Sequence, residues 1–455
     1  MTRRALVVSN DHVGTSMAGP GIRSYRFATE LAQQFDVTLV VPFATDLADG
    51  RIRIVHDNPW DPARMTARVR GFDLVVAQRL PVPTMRALAR SWTRTIYDLY
   101  APLTLEQLAL DARETTSSIR GSMARLNNLT QEVVLATGNA FVCAGERQRD
   151  FWLGGLANAG RLDAELYRHD PSLRRLIDVV PFGIDPEPPT AGRALRGVVP
   201  GIGPDDRILL WPGGIWNWFD PLTVIRAVHE LSSRRADLRL FFLGLRHPVP
   251  GVPGMPHAAM AEEAVALADE LGLCDRVVFF NHGWVPYAER GRYFLEADLA
   301  VSAHFDDVET RFAFRTRLLD CLWAGLPVVT TRGDALGDLV VAAGAGRAAE
   351  FGDVHGWVEA LESMLDDDAA LQRAREAAGR LRASFEWSRV LEPLHRLADP
   401  STAPPATDTL ARTAAARYLS LRLRIGYEQH GMLGAARRLL GRAGRPSRTP
   451  EGWVP

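Results

Sequence analysis

Short apolar segments and longer mixed segments alternate along the first 180 residues of the chain. The apolar segments are rich in Val, Ile and Leu, which is typical of strands buried on both faces of a parallel sheet. The pattern predicts strands at Ala5–Val8, Val37–Val41, Leu74–Ala77, Thr95–Tyr97, Ala140–Cys143 and Ile177–Val180. Between them apolar residues recur at helical spacing, as in Ile22–Gln33. Strands that alternate with helices indicate βαβ units and a mostly parallel sheet.

A segment rich in proline and glycine, residues 186–206, interrupts this alternation and is typical of a hinge linker. The strand–helix rhythm then restarts. It predicts further strands at Ile208–Trp211, Leu238–Leu243, Val277–Phe280, Leu299–Ser302 and Pro327–Thr330. The sequence therefore predicts an α/β protein with an N-terminal domain at 1–185 and a C-terminal domain at 207–398.

Residues 399–455 form a proline-containing linker followed by a basic, helical tail. Leucines are interspersed with its arginines, which are Arg412, Arg417, Arg422, Arg424, Arg437, Arg438, Arg442, Arg445 and Arg448. Such a tail can lie on an anionic membrane surface. It can equally pack against the body of the protein and expose its arginines to water. The sequence leaves both interpretations open.

The composition is that of an ordinary globular protein, with 47% hydrophobic and 24% charged residues among 455. The formal net charge of −1 gives no global basic field, so we expect no nucleic-acid partner. No apolar stretch reaches the roughly 18 residues of a membrane span, and the apolar run near the N-terminus is too short for a signal peptide. Three cysteines far apart in sequence support no disulfide framework. We expect a cytoplasmic protein.

Lysine is absent, so all 53 basic residues are arginines. This excludes a Walker A phosphate loop and a pyridoxal-phosphate Schiff base, since both need a lysine. Any phosphate bound by this chain is therefore held by guanidinium groups, helix N-termini or backbone amides.

The first domain offers polar residues where strands end, which is where ligands sit in open α/β sheets. After the first strand, a loop contains Asp11 and His12, and Gly19, Gly21 and Arg23 open the next helix. Glycines there let backbone amides approach a phosphate or an acceptor, although such turns are also common for purely structural reasons. Asp98 ends another strand and either orients a hydroxyl group or caps the following helix.

In the second domain, Gly213, Gly214 and Trp216 follow the strand Ile208–Trp211. Exposed tryptophans are unfavourable unless something stacks on them, so this loop is either a platform for a base or sugar or a packing contact between domains. Asp220 is the predicted N-cap of the next helix, with Pro221 at its first position. Arg246 supplies a cation after the neighbouring strand.

The densest group of charges lies between residues 302 and 320 and contains Glu309, Arg311, Arg315, Arg317 and Asp320. Arginine forks match phosphate oxygens, and carboxylates accept hydrogen bonds from vicinal hydroxyls. The group therefore suits a diphosphate joined to a polyhydroxylated molecule. The alternative is a solvated network of ion pairs.

At these residues the chain resembles the retaining glycosyltransferases of family 4, and the likeness covers about residues 4–395. Residues 318–329, LLDCLWAGLPVV, look like the family's helix-then-strand segment, and residues 180–185, VPFGID, look like its pre-hinge segment. Gly19-Pro20-Gly21 stands where the family has a glycine-rich N-terminal loop. The resemblance implies the GT-B architecture, in which two Rossmann-like domains face a central cleft.

The resemblance implies transfer of a sugar from a nucleoside-diphosphate sugar to an acceptor hydroxyl, with retention at the anomeric carbon and with neither a metal nor another cofactor. Asp320 stands at the position of the ribose-binding carboxylate. Phe312 replaces the family's sugar-binding glutamate, which leaves Glu309 as the nearest candidate. We expect Arg315 first, then Arg317 and Arg311, at the diphosphate. Gly283 and Trp284 are expected at the base, and Asp98 remains where the family has a histidine.

Two other functions fit the same architecture. A nucleotide-sugar 2-epimerase would act without an acceptor. A catalytically inactive partner would bind the sugar nucleotide without turnover. The sequence does not identify the sugar, the base or the acceptor, which can belong to polysaccharide, glycoconjugate or secondary-metabolite synthesis.

Overall fold

The apolar segments of the first half form a parallel sheet. The computed structural model describes residues 2–111, 118–245, 259–399, 412–413 and 415–425. Within these ranges the first sheet has seven strands: β1 (Arg4–Val8), β2 (Asp36–Val41), β3 (Arg53–His56), β4 (Leu74–Ala77), β5 (Arg94–Asp98), β6 (Ala140–Cys143) and β7 (Ile177–Val179). Their spatial order is β3-β2-β1-β4-β5-β6-β7. Leu6 of β1 lies opposite Thr38 on one side and Val75 on the other.

Helices connect these strands and cover both faces of the sheet, as parallel pairing requires. They are α1 (Gly19–Leu31), α2 (Pro62–Arg68), α3 (Val82–Leu88), α4 (Leu103–Asp111), α5 (Ser118–Thr137), α6 (Glu146–Asn158) and α7 (Ala164–His169). The start of α2 shows how a capping side chain and a proline set the first residue of a helix. The Asp61 side chain accepts hydrogen bonds from the backbone N–H groups of Ala63 and Arg64, and Pro62 occupies the first turn.

The second half repeats this arrangement with a six-stranded parallel sheet. Its strands are β8 (Arg207–Trp211), β9 (Leu238–Phe242), β10 (Val278–Phe280), β11 (Leu299–Ser302), β12 (Val328–Thr331) and β13 (Gly346–Ala349). Their order is β10-β9-β8-β11-β12-β13. In both sheets, therefore, successive strands are added first on one side of the first strand and then on its other side. We call the two halves the first and second lobes.

The helices of the second half include one whose start the sequence predicted. They are α8 (Pro221–Ser232), α9 (Ala259–Glu270), α10 (Arg290–Glu296), α11 (Val308–Phe312), α12 (Arg317–Ala324), α13 (Ala335–Ala342), α14 (Val354–Leu365), α15 (Asp368–Arg382), α16 (Trp387–Val390) and α17 (Glu392–Ala398). Short 3-10 turns lie at Tyr287–Glu289 and Ala383–Phe385. The Asp220 carboxylate accepts a hydrogen bond from the Thr223 N–H at 3.1 Å, which confirms the predicted cap of α8.

The predicted strands are all present, and the sequence missed two edge strands, β3 and β13. β3 contains an arginine and a histidine, and β13 reads Gly-Arg-Ala-Ala, so neither has the run of large apolar residues that marks a central strand. A Cβ on Gly346 would lie 2.0 Å from the Val328 carbonyl oxygen. Glycine therefore lets β13 approach β12 closely enough to pair.

The chain returns to the first lobe at its C-terminal end, although the sequence assigned residues up to 398 to the second domain. The Ile184 N–H donates to the Phe385 carbonyl at 2.6 Å, just before α16. On α17, His395 lies 3.2 Å from Glu30, and Arg396 pairs with Asp178. These helices therefore pack against the first lobe, and the lobes are joined by two crossings of the chain.

The described part of the basic tail, residues 415–425, is helical and lies against the first lobe. Ala415 and Tyr418 are buried in the cluster formed by β1, β4, β6 and neighbouring helices. Arg417 pairs with Glu132 of α5 at 3.0 Å. This part of the tail packs on the body, while the predictions for residues 426–455 lie outside the described residues. None of the helices in the described ranges is both long enough and apolar enough to cross a membrane.

A buried ion pair fixes α1 to the end of β5. Arg23 is fully buried, and its Nε and Nη2 lie 2.7 and 2.8 Å from the two carboxylate oxygens of Asp98. Nη1 donates to the Pro181 carbonyl at 3.1 Å, and Phe27 and Phe182 face the guanidinium. The sequence offered both residues as ligand-binding or catalytic groups. In the structure they bind each other and neither is open to the cleft.

We expect Arg23→Leu to lower the free energy of unfolding by about 3–5 kcal/mol, because it leaves the Asp98 carboxylate buried without its partner. The double variant Arg23→Leu/Asp98→Leu should recover much of this loss, since no charge is then left buried. Urea denaturation measures both values.

Arg332→Leu is the matched control, since it removes an arginine whose pair with Glu350 is exposed on both sides, with side chains 59% and 64% exposed. Its effect should stay within about 1 kcal/mol. Equal effects of the two single substitutions would contradict a stabilising role of the buried pair.

Candidate functional site

The carboxyl ends of the two sheets face each other across a cleft between the lobes. In the loop after β1, the Thr15 carbonyl accepts a hydrogen bond from the Tyr287 N–H, which follows β10, at 3.2 Å. At the start of α6, the Gln148 amide donates to the Phe312 carbonyl at the end of α11, at 2.9 Å. Loops that follow strands of the first lobe therefore contact loops that follow strands of the second.

Each sheet has a switch point where its strand order reverses, between β1 and β4 in the first lobe and between β8 and β11 in the second. In open α/β sheets the loops at this point leave a crevice in which ligands bind. In the second lobe these loops contain Gly213 and Gly214 after β8, and His304 after β11. The charged segment predicted from the sequence thus lies at the switch point.

Arg317 joins the glycine loop to the start of α12. Its Nη2 donates to the Gly214 carbonyl at 2.7 Å. The guanidinium carbon lies 3.7 Å from the centre of the Phe219 ring and 5.5 Å from that of Trp211. Gly213 has a φ of +118°, a conformation that L side chains rarely adopt, so glycine is needed for the loop to turn here.

The charge of Arg317 is not balanced by a carboxylate. Its Nη1 is buried and has no hydrogen-bond partner among the described residues. Burial, reinforced by the nearby Arg315, lowers the pKa of Arg317 to about 9, which still leaves it protonated at neutral pH. A buried, unpartnered donor on a half-buried cation suits an anion, because leaving such a donor unsatisfied is costly.

Arg315 and Glu309 form a buried bidentate pair beside this group. Arg315 Nη1 and Nη2 lie 3.0 and 2.5 Å from the two oxygens of Glu309, and Nη2 also lies 3.1 Å from the Thr310 hydroxyl. Asp307 caps the short helix α11 by accepting from the Thr310 N–H, which holds Glu309 in place. Arg315 therefore enters the site with its charge largely neutralised, whereas Arg317 does not.

A histidine and an aspartate, both buried, lie behind this pair. His304 Nε2 is 3.3 Å from Asp334 Oδ2, while Asp334 Oδ1 accepts from the N–H groups of Leu336 and Gly337 at the start of α13. Burial lowers the pKa of His304 well below its usual value, and Arg315 and Arg317 lower it further, so the ring is neutral. Burial raises the pKa of Asp334 to about 6, against the opposing charge of Arg315.

Aromatic side chains from neighbouring loops meet beside Gly214, the residue whose carbonyl Arg317 contacts. A Cβ on Gly214 would lie 3.5 Å from the ring of Trp284 and the same distance from that of Trp216. A Cβ on Gly244 would lie 3.4 Å from Trp284. Glycines thus allow Trp284 to pack between the loops after β8 and β9, and Gly283 precedes it in the loop after β10, where its N–H donates to Asn281.

Asp320, on α12, pairs with Arg290 of α10, with Oδ1 2.9 Å from Nε. The Arg290 guanidinium lies between the rings of Tyr287 and Trp323, at 3.6 and 4.2 Å. The Asp320 side chain is 34% exposed, so its carboxylate can accept a further hydrogen bond from a ligand.

The first lobe contributes the loop that contains Asp11 and His12. The Asp11 carboxylate accepts from the His12 N–H at 2.7 Å, and Asp11 is buried. A Cβ on Gly21 would lie 2.0 Å from the His12 carbonyl oxygen, so glycine allows this loop to cross the start of α1. Gly19 lies beside the Phe182 ring. Ala18 occupies the N-cap position of α1 and makes no side-chain hydrogen bond to the first turn. No side chain at the N-cap therefore satisfies the backbone N–H groups of that turn.

The structure brings most predicted residues of the second lobe together, with exceptions. Arg311 is exposed and its guanidinium lies 5.9 Å from the Phe312 ring. Arg246 lies outside the described residues. His304 and Asp334 were not among the predicted site residues. Each comes two or three residues after the end of a strand, which is the signal that identified the other site residues. Nothing in the sequence indicated that they would meet.

Among the described residues, no three His, Cys, Asp or Glu side chains are grouped so that they could hold a metal ion. The donor set near the glycine loop consists of guanidinium groups and backbone amides. Such groups bind anions and would repel a cation.

Comparison with known proteins matches the second lobe to one family. Residues 206–367 match the family model "Glycosyl transferases group 1". A D-inositol 3-phosphate glycosyltransferase of Mycobacterium marinum is 29% identical over 238 residues, which is 50% of this chain and 45% of that protein. The chain spans about half the length of the curated relatives that it matches. The resemblance to glycosyltransferases is confirmed.

Solved structures match nearly the whole described fold. Sucrose-phosphate synthase from Thermosynechococcus elongatus aligns with a TM-score of 0.61 at 14% identity, covering 87% of this chain and 98% of that one. Anabaena Alr3699/HepE in complex with UDP-glucose aligns with a TM-score of 0.58 at 14% identity, covering 87% and 99%. The predicted GT-B architecture, with two Rossmann-like lobes that face a cleft, is confirmed.

The raised pKa of Asp334 predicts a specific pH dependence of stability. The folded protein holds this proton more tightly than the unfolded chain, whose aspartate pKa is near 4. Asp334 therefore stabilises the fold below about pH 4, and this contribution is lost as the pH rises through about 6. The free energy of unfolding of the native protein, relative to Asp334→Asn, should fall between these values and stay constant above. Parallel urea-denaturation curves across this range would contradict the assignment.

Proposed function

We propose that this protein is a glycosyltransferase that moves a sugar from a nucleoside-diphosphate sugar to an acceptor hydroxyl in the cleft between its lobes. The observation that carries the proposal is Arg317, a half-buried cation whose buried Nη1 has no partner among the described residues, beside a glycine loop at the switch point of the second sheet. The family match over residues 206–367 supports it, since it covers the lobe that contains this site.

Arg317 is assigned to the diphosphate. As the bond to the sugar breaks, negative charge develops on the departing diphosphate, and stabilising that charge is the largest single contribution that a site can make. The Gly214 N–H and the start of α12 add partial positive charge at the same place, whereas the Gly213 N–H already donates to the Trp211 carbonyl. Arg311, at the surface, would contribute only to steering the anion toward the cleft.

Arg315 and Glu309 act as a unit in this proposal. The sequence placed Arg315 first at the diphosphate and Glu309 at the donor sugar. Because Glu309 holds both outer nitrogens of Arg315, the arginine is fixed in orientation and carries little net charge. We assign Arg315 to the oxygens nearest the sugar, with Glu309 as the residue that positions it.

Trp284 and Trp216 are assigned to the base, and Asp320 to the ribose. A planar base can stack against an indole ring without a specific hydrogen-bonding pattern. Asp320 keeps free lone pairs on a half-exposed carboxylate. Three of the structural neighbours are complexes with UDP, UDP and glucose, or UDP-glucose, which supports a nucleoside-diphosphate donor here.

Retention and metal independence are further parts of the proposal. The cationic and amide donors around Arg317 supply the charge that a metal ion supplies elsewhere. Turnover should therefore survive treatment with a chelator. NMR of the product would report the anomeric configuration, and inversion would remove the retaining assignment.

For the acceptor, the proposal names only the part of the first lobe that it would contact. The loop of Asp11 and His12 in the first lobe is assigned to the acceptor side. Action at the cytoplasmic face of a membrane, with the basic tail on the lipid, stays a prediction from the sequence.

The deciding experiment is incubation with a panel of nucleotide sugars and candidate acceptors. Release of the nucleoside diphosphate only when an acceptor is present supports transfer. Formation of an epimer without release would identify an epimerase, and binding without turnover would identify an inactive partner. A thermal-shift screen with nucleoside diphosphates selects the base beforehand, because a ligand that binds the native state raises its stability.

Arg317→Gln should weaken nucleoside-diphosphate binding roughly tenfold to a hundredfold, since a hydrogen bond to a charged group contributes about 1.5–3 kcal/mol. Arg317→Lys should lie between, because it keeps the charge and loses the fork. Isothermal titration calorimetry measures the affinities, and circular dichroism checks the fold. Arg373→Gln is the control, since that arginine is exposed on α15. Native affinity in a folded Arg317→Gln protein would place the diphosphate elsewhere.

A further inference from the structure

A cavity of about 640 Å³ lies in the first lobe, outside the site between the lobes. Its lining residues come from β1, β2, β3, α2 and the segments that follow β3 and α2, and none comes from the second lobe. Five of them are arginines, which are Arg4, Arg53, Arg64, Arg68 and Arg70. A volume of this size is typical of sites for small molecules.

The register of the first sheet places one wall of this cavity on a single face. Thr38 of β2 lies opposite Leu6 of β1 on one side and opposite Arg53 of β3 on the other. Directly opposed residues share a face, and so do residues two apart on one strand, so Arg4 and Val55 lie on this face as well. α2 covers the same face, because its buried side chains pack in one cluster with Leu6. The cavity therefore lies between the edge of the sheet and α2.

One buried carboxylate fixes two of the arginines. Asp57 Oδ1 accepts a hydrogen bond from Arg64 Nη1 at 3.1 Å, and its Oδ2 accepts one from Arg68 Nε at 2.7 Å. The Asp57 side chain is 7% exposed, against 63% for Arg64 and 31% for Arg68. A shared carboxylate neutralises only one of two charges, so these guanidinium groups are held in place with positive charge in excess.

The other three arginines of the lining have no carboxylate partner within the described part of the chain. Arg4 Nη1 donates to the Gly71 carbonyl at 3.3 Å, and Asp73 accepts from the backbone N–H of Arg4 rather than from its side chain. Arg53 and Arg70 are exposed, and neither side chain makes an ion pair or a hydrogen bond to another described residue. The lining thus contains five arginines and one carboxylate.

We infer that this cavity binds a compact, soluble polyanion that carries two or more phosphate groups. Arginine forks bind phosphate oxygens through paired N–H groups, and here they come from both the sheet and the segment of α2. A single phosphate would leave most of the volume and most of the guanidinium groups unused. A ligand with several phosphates can contact both walls. This binding is independent of sugar transfer in the cleft.

The lining favours a soluble ligand over a membrane surface or a nucleic acid. All lining residues lie within the described ranges, and none of them is an exposed large apolar side chain, the type that inserts into lipid. The formal net charge of the whole chain is −1. The positive charge of this cavity is therefore local, whereas a nucleic-acid backbone follows an extended basic surface.

Isothermal titration calorimetry with inorganic tripolyphosphate tests the inference. The starting protein is Arg317→Gln, because this change removes the proposed diphosphate contact in the cleft and lies in the other lobe. We expect saturable binding of tripolyphosphate and weaker binding of orthophosphate. Adding Arg53→Gln/Arg70→Gln should weaken tripolyphosphate binding roughly tenfold or more, since hydrogen bonds to charged groups are lost. The same two substitutions in the native protein should leave its nucleoside-diphosphate affinity unchanged.

Arg373→Gln/Arg380→Gln is the matched control, since it removes two exposed arginines of α15 and changes the net charge equally. It should keep the tripolyphosphate affinity of the starting protein. Equal losses in the two double variants would overturn the inference, because the effect would then come from net charge alone. Absence of saturable binding to Arg317→Gln would overturn it as well. The proposed function would still stand, because its test is nucleoside-diphosphate binding and turnover by the native protein.

Flotation with vesicles of phosphatidylcholine and phosphatidylserine separates a lipid headgroup from a free phosphate compound. We expect Arg53→Gln/Arg70→Gln to leave vesicle binding unchanged. Loss of vesicle binding without loss of tripolyphosphate affinity would overturn the soluble ligand in favour of a membrane contact. A single-stranded oligonucleotide that binds Arg317→Gln more tightly than tripolyphosphate, and that loses this affinity with the same two substitutions, would overturn it in favour of nucleic acid.

Discussion

The site depends on guanidinium groups that are taken out of water and remain charged. Arginine tolerates this because its charge is delocalised and its pKa is high, whereas a buried lysine readily loses its proton. All 53 Lys and Arg positions of this chain are arginines, and three of them, in the cleft or behind it, differ in the groups that they contact. Arg23 and Arg315 are each balanced by a carboxylate. Arg317 has a carbonyl and aromatic faces instead, which leaves positive charge for a ligand.

The architecture places the positive charge of Arg317 in the cleft between the two lobes rather than on an open surface of one lobe. The two sheets share the same strand order, and both direct the carboxyl ends of their strands toward the cleft. Contacts across the cleft, such as that between Gln148 and Phe312, hold the facing loops together. The return of α16 and α17 to the first lobe adds a second connection far from the cleft. Closure of such a cleft excludes water from a ligand held between the lobes.

The two lobes present opposite chemistry to this space. The second lobe presents cations, glycine amides and indole rings, which together suit a diphosphate joined to a base. The first lobe presents the loop of Asp11 and His12. In the proposed transfer, a donor that leaves as an anion would use the environment of the second lobe. The buried pair of Glu309 and Arg315 lies beside Arg317 in that lobe.

The sequence alone determined the central strands, the Asp220 cap and the strand ends at which polar residues gather, because these follow from local periodicity and turn chemistry. The motif around residues 318–329 also identified the architecture. Only the tertiary structure decided that Arg23 binds Asp98, that His304 meets Asp334 and that α17 returns to the first lobe. The hydrophobic pattern also failed to predict the edge strands β3 and β13, because a half-exposed strand does not need a run of apolar residues. The partner of a charge and the pKa of a carboxylate depend on distances and burial created by residues far apart in the chain. Local pattern does not encode these quantities.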